Sequence, residues 1–132
     1  MTANLYRVIH PVSDIEIATE FFSAVLGAAG ERVSPGRHYF NCGATILACY
    51  DPVADGDGLG DGWRHHDSQY LYFAVADLDA TFASVVQAGG AITAAIETMP
   101  WGERIFYARD PGGNPISFVD QSTVFTGSSQ EP

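Results

Sequence analysis

The sequence predicts an α+β domain in which two βαβββ modules form one curved mixed sheet around a cavity. Two observations lead there. One pattern occurs twice: VSDIEIATEFFSAVLG and VADLDATFASVVQAGG align without a gap, pairing Val12 with Val75, Asp14 with Asp77 and Gly27 with Gly90. Each copy is a β run that ends in Asp, passes into a short amphipathic helix and stops at glycine. Further strand-like runs follow each copy, and a unit of this kind cannot bury both its helix and its sheet unaided, so two copies are expected to share one core.

In the first module, residues 4–52, LYRVIHPV carries the apolar and β-branched residues of a strand. Ser13 or Asp14 can then cap a helix whose stripe is Ile17, Phe21, Phe22, Val25 and Leu26, with Gly27 and Gly30 as stops. RHYFNCG and ATILACY read as a hairpin about Cys42 to Ala44. Residues 53–67 form a connector rich in Gly and Asp that lacks the oxygen spacing of a calcium loop, and His65 and His66 within it are expected to face solvent. The second module, residues 68–121, opens on QYLYFAVADLDATFASVVQAGG and closes with the hairpin ERIFYARDP and GNPISFVD. In its RDPGGNP corner, Asp110 and Pro111 start a turn, the glycines supply unusual dihedrals and Asn114 closes it with a side-chain bond. Residues 122–132 are a tail, with Val124 and Phe125 available to pack and a polar, frayed end.

The chain has 132 residues and a net charge of −10, with 16 acidic residues against six basic ones, all arginines. A surface of this kind repels nucleic acid and anionic lipid, because nothing clusters the positive charge. No segment approaches the roughly 20 apolar residues of a membrane span, and the start lacks a secretory core, so the expectation is a cytoplasmic protein. Cys42 and Cys49 have opposite parity if one strand joins them, which predicts free thiols.

Through HPVSDIEIATEFFSAVLG, YFAVADLDATFASVVQAGG and PWGERIFYARDPGGNPISF, the chain resembles the vicinal oxygen chelate superfamily, the glyoxalase, bleomycin-resistance and extradiol dioxygenase group. The resemblance implies paired modules and a homodimer. It also implies that the family's metal-ligand positions fall here on Arg7, Leu47, Tyr70 and Ser117, with about a residue of uncertainty for Leu47 and Tyr70. Arginine, leucine, tyrosine and serine make a poor divalent-metal site, so neither metal nor other cofactor is expected.

If Arg7 faces inward, Ile9 shares its strand face, Tyr70 shares one with Tyr72, and Leu47, Cys49 and Ser117 complete the set. That describes an aromatic pocket with one cationic anchor for a small amphipathic molecule. Arg7 is open to a second reading, as half of a structural ion pair. Trp101, in a turn resembling one in bleomycin-binding relatives, either lines the pocket or simply packs. The leading expectation is binding without chemistry, with resistance by sequestration as one outcome. The alternatives are a divergent lyase or isomerase using Arg7 and Glu103, and a noncatalytic dimeric interaction protein.

Overall fold

Each helix begins where the sequence places an aspartate. A computed structural model describes residues 2–58 and 65–126. In it the Asp14 carboxylate accepts from the Glu16 and Ile17 amides at 3.0 and 3.1 Å, opening α1 (Ile15–Leu26), while Asp77 accepts from the Ala80 amide at 3.0 Å, opening α2 (Leu78–Gln87). The two helices end differently. Gly27 stops α1 in the left-handed region, φ 69°, and its aligned partner Gly90 has no such role, since Gly89 takes the positive φ of 99°. A Cβ on Gly90 would meet Val85 Cγ1 at 2.7 Å and Phe21 Cε1 at 3.0 Å, so this glycine lets α1 and α2 approach.

Among the described residues eight strands run around the helices: β1 (Arg7–Pro11), β2 (Glu31–Ser34), β3 (Arg37–Cys42), β4 (Thr45–Tyr50), β5 (Leu71–Val75), β6 (Ala91–Thr98), β7 (Arg104–Arg109) and β8 (Pro115–Asp120). They form two four-stranded mixed sheets, ordered β1-β4-β3-β2 and β5-β8-β7-β6, with β1 parallel to β4 and β5 parallel to β8. The expected single curved sheet around a cavity is therefore not what forms. Both sheets are open, and among the described residues no ladder joins them. The reason is what lies between them: the units meet through α1 against α2 and through a common apolar core. A series of ring contacts runs from Phe22 of α1 through Phe73, Phe118 and Phe106 to Phe82 of α2, with centroids 5.1 to 6.3 Å apart. Side chains this large pack the helix-facing side.

Pairing fixes which residues share a face. Val8 lies beside Leu47 and Phe40, and His10 beside Cys49 and His38, all turned toward the helices. Arg7 and Ile9 lie beside Ile46 and Ala48 on the other side. In the second sheet Phe73, Phe118 and Phe106 face the core, and Tyr72, Ser117 and Tyr107 share the opposite face.

The RDPGGNP corner divides its work in a way the sequence reading reverses. The Asp110 side chain closes the turn, accepting from the Asn114 amide at 2.8 Å, while Gly113 supplies φ 90°. The Asn114 side chain reaches instead into the first unit, its amide donating to the Pro11 carbonyl at 2.5 Å. Asp110 Oδ2 sits 2.6 Å from Nε2 of the fully buried His10, and His10 Nδ1 is 3.0 Å from His65 Nε2. His65 is thus half-buried, not a solvent-facing loop residue, whereas His66 is exposed and bonds Ser68 locally. Residues 59–64 of the expected connector, and 127–132 of the tail, lie outside the described residues. Among the described residues no helix is long and apolar enough to cross a membrane.

Candidate functional site

The expected pocket residues separate onto two surfaces. On the open face of the first sheet, Arg7 stands over two phenol rings, with its guanidinium carbon 5.0 Å from the Tyr6 centroid and 5.5 Å from that of Tyr39, and Nη1 donates to Tyr39 at 3.4 Å. The Tyr6 hydrogen bond first, and then the field of Tyr39, hold its proton still more firmly than usual. These partners are rings, where the structural alternative expected a carboxylate. Ile9, 40% exposed, shares the face.

On the second sheet's face away from the core, Tyr70, Tyr72 and Tyr107 make a three-ring cluster. The Tyr72 and Tyr107 hydroxyls are 3.4 Å apart, and that contact, followed by burial, pushes the Tyr72 hydroxyl up to about 12. Ser117 lies beneath the cluster, fully buried, and spends its proton on the Phe106 carbonyl at 3.0 Å. Tyr107 was not singled out by the sequence. Its only signal is that it stands opposite Ser117 in the final hairpin.

Leu47 and Cys49 are turned away from Arg7. One residue of register moves a side chain to the other face, and the β1–β4 pairing places Ile46 and Ala48 where those two were expected. Cys49 is fully buried and its thiol is pushed up to about 12, chiefly by burial, so it is inert packing. Both cysteines are free.

Leu47 instead lines a cleft between the two units. This cleft, of about 290 Å³, gathers Leu5, Val8, Cys42, Leu47, Tyr70 and Tyr72. Past Cys42, Tyr72 and Phe73 it adjoins a second cleft of about 580 Å³, which reaches Val25 and Leu26 at the end of α1 and Asn41 on β3. Among the described residues neither lining includes a charged side chain, although the protein carries a net charge of −10. Hydroxyls, a thiol and one carboxamide are the polar groups on offer, in a size range that suits a small molecule.

Trp101 lies apart from both surfaces. It is 64% exposed in a tight turn closed by Gly102, and its indole N–H donates to Glu103 Oε1 at 2.8 Å. The other Glu103 oxygen accepts from the Phe125 amide at 3.1 Å, so the carboxylate clasps the turn to the tail. The positions expected to correspond to metal ligands do not suit a divalent ion: Arg7 is a cation, Leu47 has no donor atom, and the Ser117 hydroxyl is engaged. Among the described residues no cluster of three or more His, Cys, Asp or Glu could hold a metal.

Residues 5–118 match the model of the Glyoxalase/Bleomycin resistance protein/Dioxygenase superfamily. Among solved structures, a glyoxalase-related enzyme from Fulvimarina pelagi superposes with a TM-score of 0.76 at 18% identity, covering 90% of this chain and 88% of that one. A glyoxalase/bleomycin resistance protein from Albidiferax ferrireducens T118 gives 0.71 at 23% identity, over 86% and 95%. Lactoylglutathione lyase from Agrobacterium tumefaciens gives 0.66 at 20% identity, over 90% and 94%. No curated protein matches the chain.

Proposed function

The chain belongs to the glyoxalase/bleomycin resistance protein/dioxygenase superfamily, and from that premise we propose that it binds a small aromatic or amphipathic molecule without a metal and without changing it. The observation that carries this reading is the uncharged cleft between the units, where Tyr70 and Tyr72 supply aromatic walls and Leu5, Val8 and Leu47 an apolar floor. Burying an aromatic ring there is favourable through area and ring contact alone, on the order of 25 cal/mol per Å² of apolar surface. Among the described residues no side chain in the lining has a charge to pair with an ionised ligand, which favours a neutral group for the part of the molecule that enters. Sequestration is the proposed outcome, and resistance is one use of it.

The lyase or isomerase reading has less support. Tyr72 holds its proton far above neutral pH and the Glu103 carboxylate is committed to Trp101 and Phe125, so neither is poised to move a proton. We also propose a homodimer, because Ile9 and Tyr72 leave apolar area exposed on the open sheet faces.

The test is binding of the neutral fluorophore N-phenyl-1-naphthylamine, followed by fluorescence and native mass spectrometry with and without EDTA. One equivalent is expected to bind per chain, unaffected by EDTA and recovered unaltered. Tyr72→Ala is expected to weaken binding about fivefold, the loss of an aromatic contact worth about 1 kcal/mol. Binding abolished by EDTA, or recovery of a changed molecule, would overturn the reading.

A further inference from the structure

Beside Phe22, at one end of the aromatic series, three separate segments meet through buried and half-buried polar atoms: β1 through His10 and Pro11, the β7–β8 turn through Asp110 and Asn114, and the connector through His65. Asn114 ties all three, since its Nδ2 donates to Pro11 and its Oδ1 accepts from the His65 amide at 3.1 Å. This is more polar machinery than holding a hairpin corner requires. We propose that the His10–His65 contact is an acid-operated latch, closed while the two rings hold one hydrogen between them and opened when the pair takes up a second.

The argument is geometric. Asp110 Oδ2, 2.6 Å from His10 Nε2, is a pure acceptor when ionised, so that nitrogen carries a hydrogen. The other side of the His10 ring faces His65 Nε2 at 3.0 Å, a separation with room for one hydrogen. With both rings neutral, His65 donates and His10 accepts. A first added proton on the far nitrogen of His65 leaves that contact intact. A second places N–H groups head to head and puts two imidazolium charges against one carboxylate.

Among the described residues nothing else at the corner offsets that charge. Cys49, beside His10 on β4, is a neutral thiol, and Phe22 of α1 presents a ring edge to His10 with centroids 5.3 Å apart. The nearby Asp67 carboxylate stands 3.5 Å from Arg109, whose Nη1 also donates to the Gly113 carbonyl at 2.8 Å. Burial of His65 disfavours its charge in the same sense, more strongly than Asp110 favours it. In acid, therefore, the half-exposed His65 leaves, and with it the segment that leads into Tyr70.

Hydrogen exchange of the full chain, read by mass spectrometry on peptides covering residues 65–70 and corrected for the intrinsic rate, tests this. Between about pH 6.5 and pH 5, protection of this segment is expected to fall by about tenfold per pH unit where His65 already carries its added proton and by up to about a hundredfold where it does not, the slopes of one- and two-proton uptake, while peptides from β7 and β8 stay protected. His65→Phe keeps a packed ring without the titration and is expected to flatten the profile; His65→Asn serves as a second variant should Phe disturb folding. Unchanged protection of the segment across this range, or an equal loss in both variants, would overturn the latch. The readout needs no ligand, so its outcome is independent of the binding reading.

Discussion

Gly90 shows how much one missing Cβ can decide. Alignment with Gly27 marks it as a helix stop, yet it has an ordinary backbone and serves instead as the gap through which Phe21 and Val85 meet. Gly90→Ala is expected to destabilise the fold by about 1–3 kcal/mol, the usual range for overpacking, because both neighbours are buried and one is a β-branched side chain on a helix. Gly27→Ala meets nothing within 4 Å, so its cost is the left-handed backbone alone, about 1 kcal/mol. Urea unfolding of the two variants separates crowding from dihedral strain, and equal midpoints would show that the close approach contributes nothing.

At the scale of elements, the two aspartate caps are the part of the structure most directly written in the sequence, because a cap is local: Asp14 and Asp77 need only their own next few amides. Asp14→Ala, which removes two accepted hydrogen bonds, is expected to cost about 1 kcal/mol and at least as much as Asp77→Ala, which removes one, as judged by thermal unfolding. The hairpins of β3 with β4 and β7 with β8 were legible for the same reason. Face assignment across β1 and β4 was not, because their parallel pairing is set by distant residues, and a slip of one residue carried Leu47 and Cys49 to the wrong side. Strand β2 gave no pattern to read, with three of its four residues exposed. The role of His65 depends on His10 and Asn114, which no local rule brings to it.

For the molecule as a whole, the repeat foretold two units but not how they join. Joining through helices and rings makes the core continuous, so truncating its middle should loosen both sheets together. Phe22→Ala is expected to cost about 3–5 kcal/mol and to lower the unfolding midpoint seen by every probe. The polar corner adds a pH dependence whose sign is fixed. Burial and His10 hold the His65 pKa below its ordinary 6.5 against the pull of Asp110, so the folded state prefers the neutral ring. Its contribution is complete above that value and declines as the pH falls through it toward the lower folded pKa. Urea midpoints at about pH 7.5 and pH 5.5 should therefore differ in that direction, by less in His65→Phe than in the parent. Among the described residues the two open sheets also end in strands that no further strand pairs, and such edges are templates for cross-chain polymerisation. The longest belongs to β6, AITAAIET, apolar and nearly free of charge, but its register against β7 is broken between Ile92 and Ala94 and again between Ala94 and Glu97. Irregularities of this kind interrupt the flat, regular ladder that fibril growth needs, so the border best suited to polymerisation is also the one where pairing is broken.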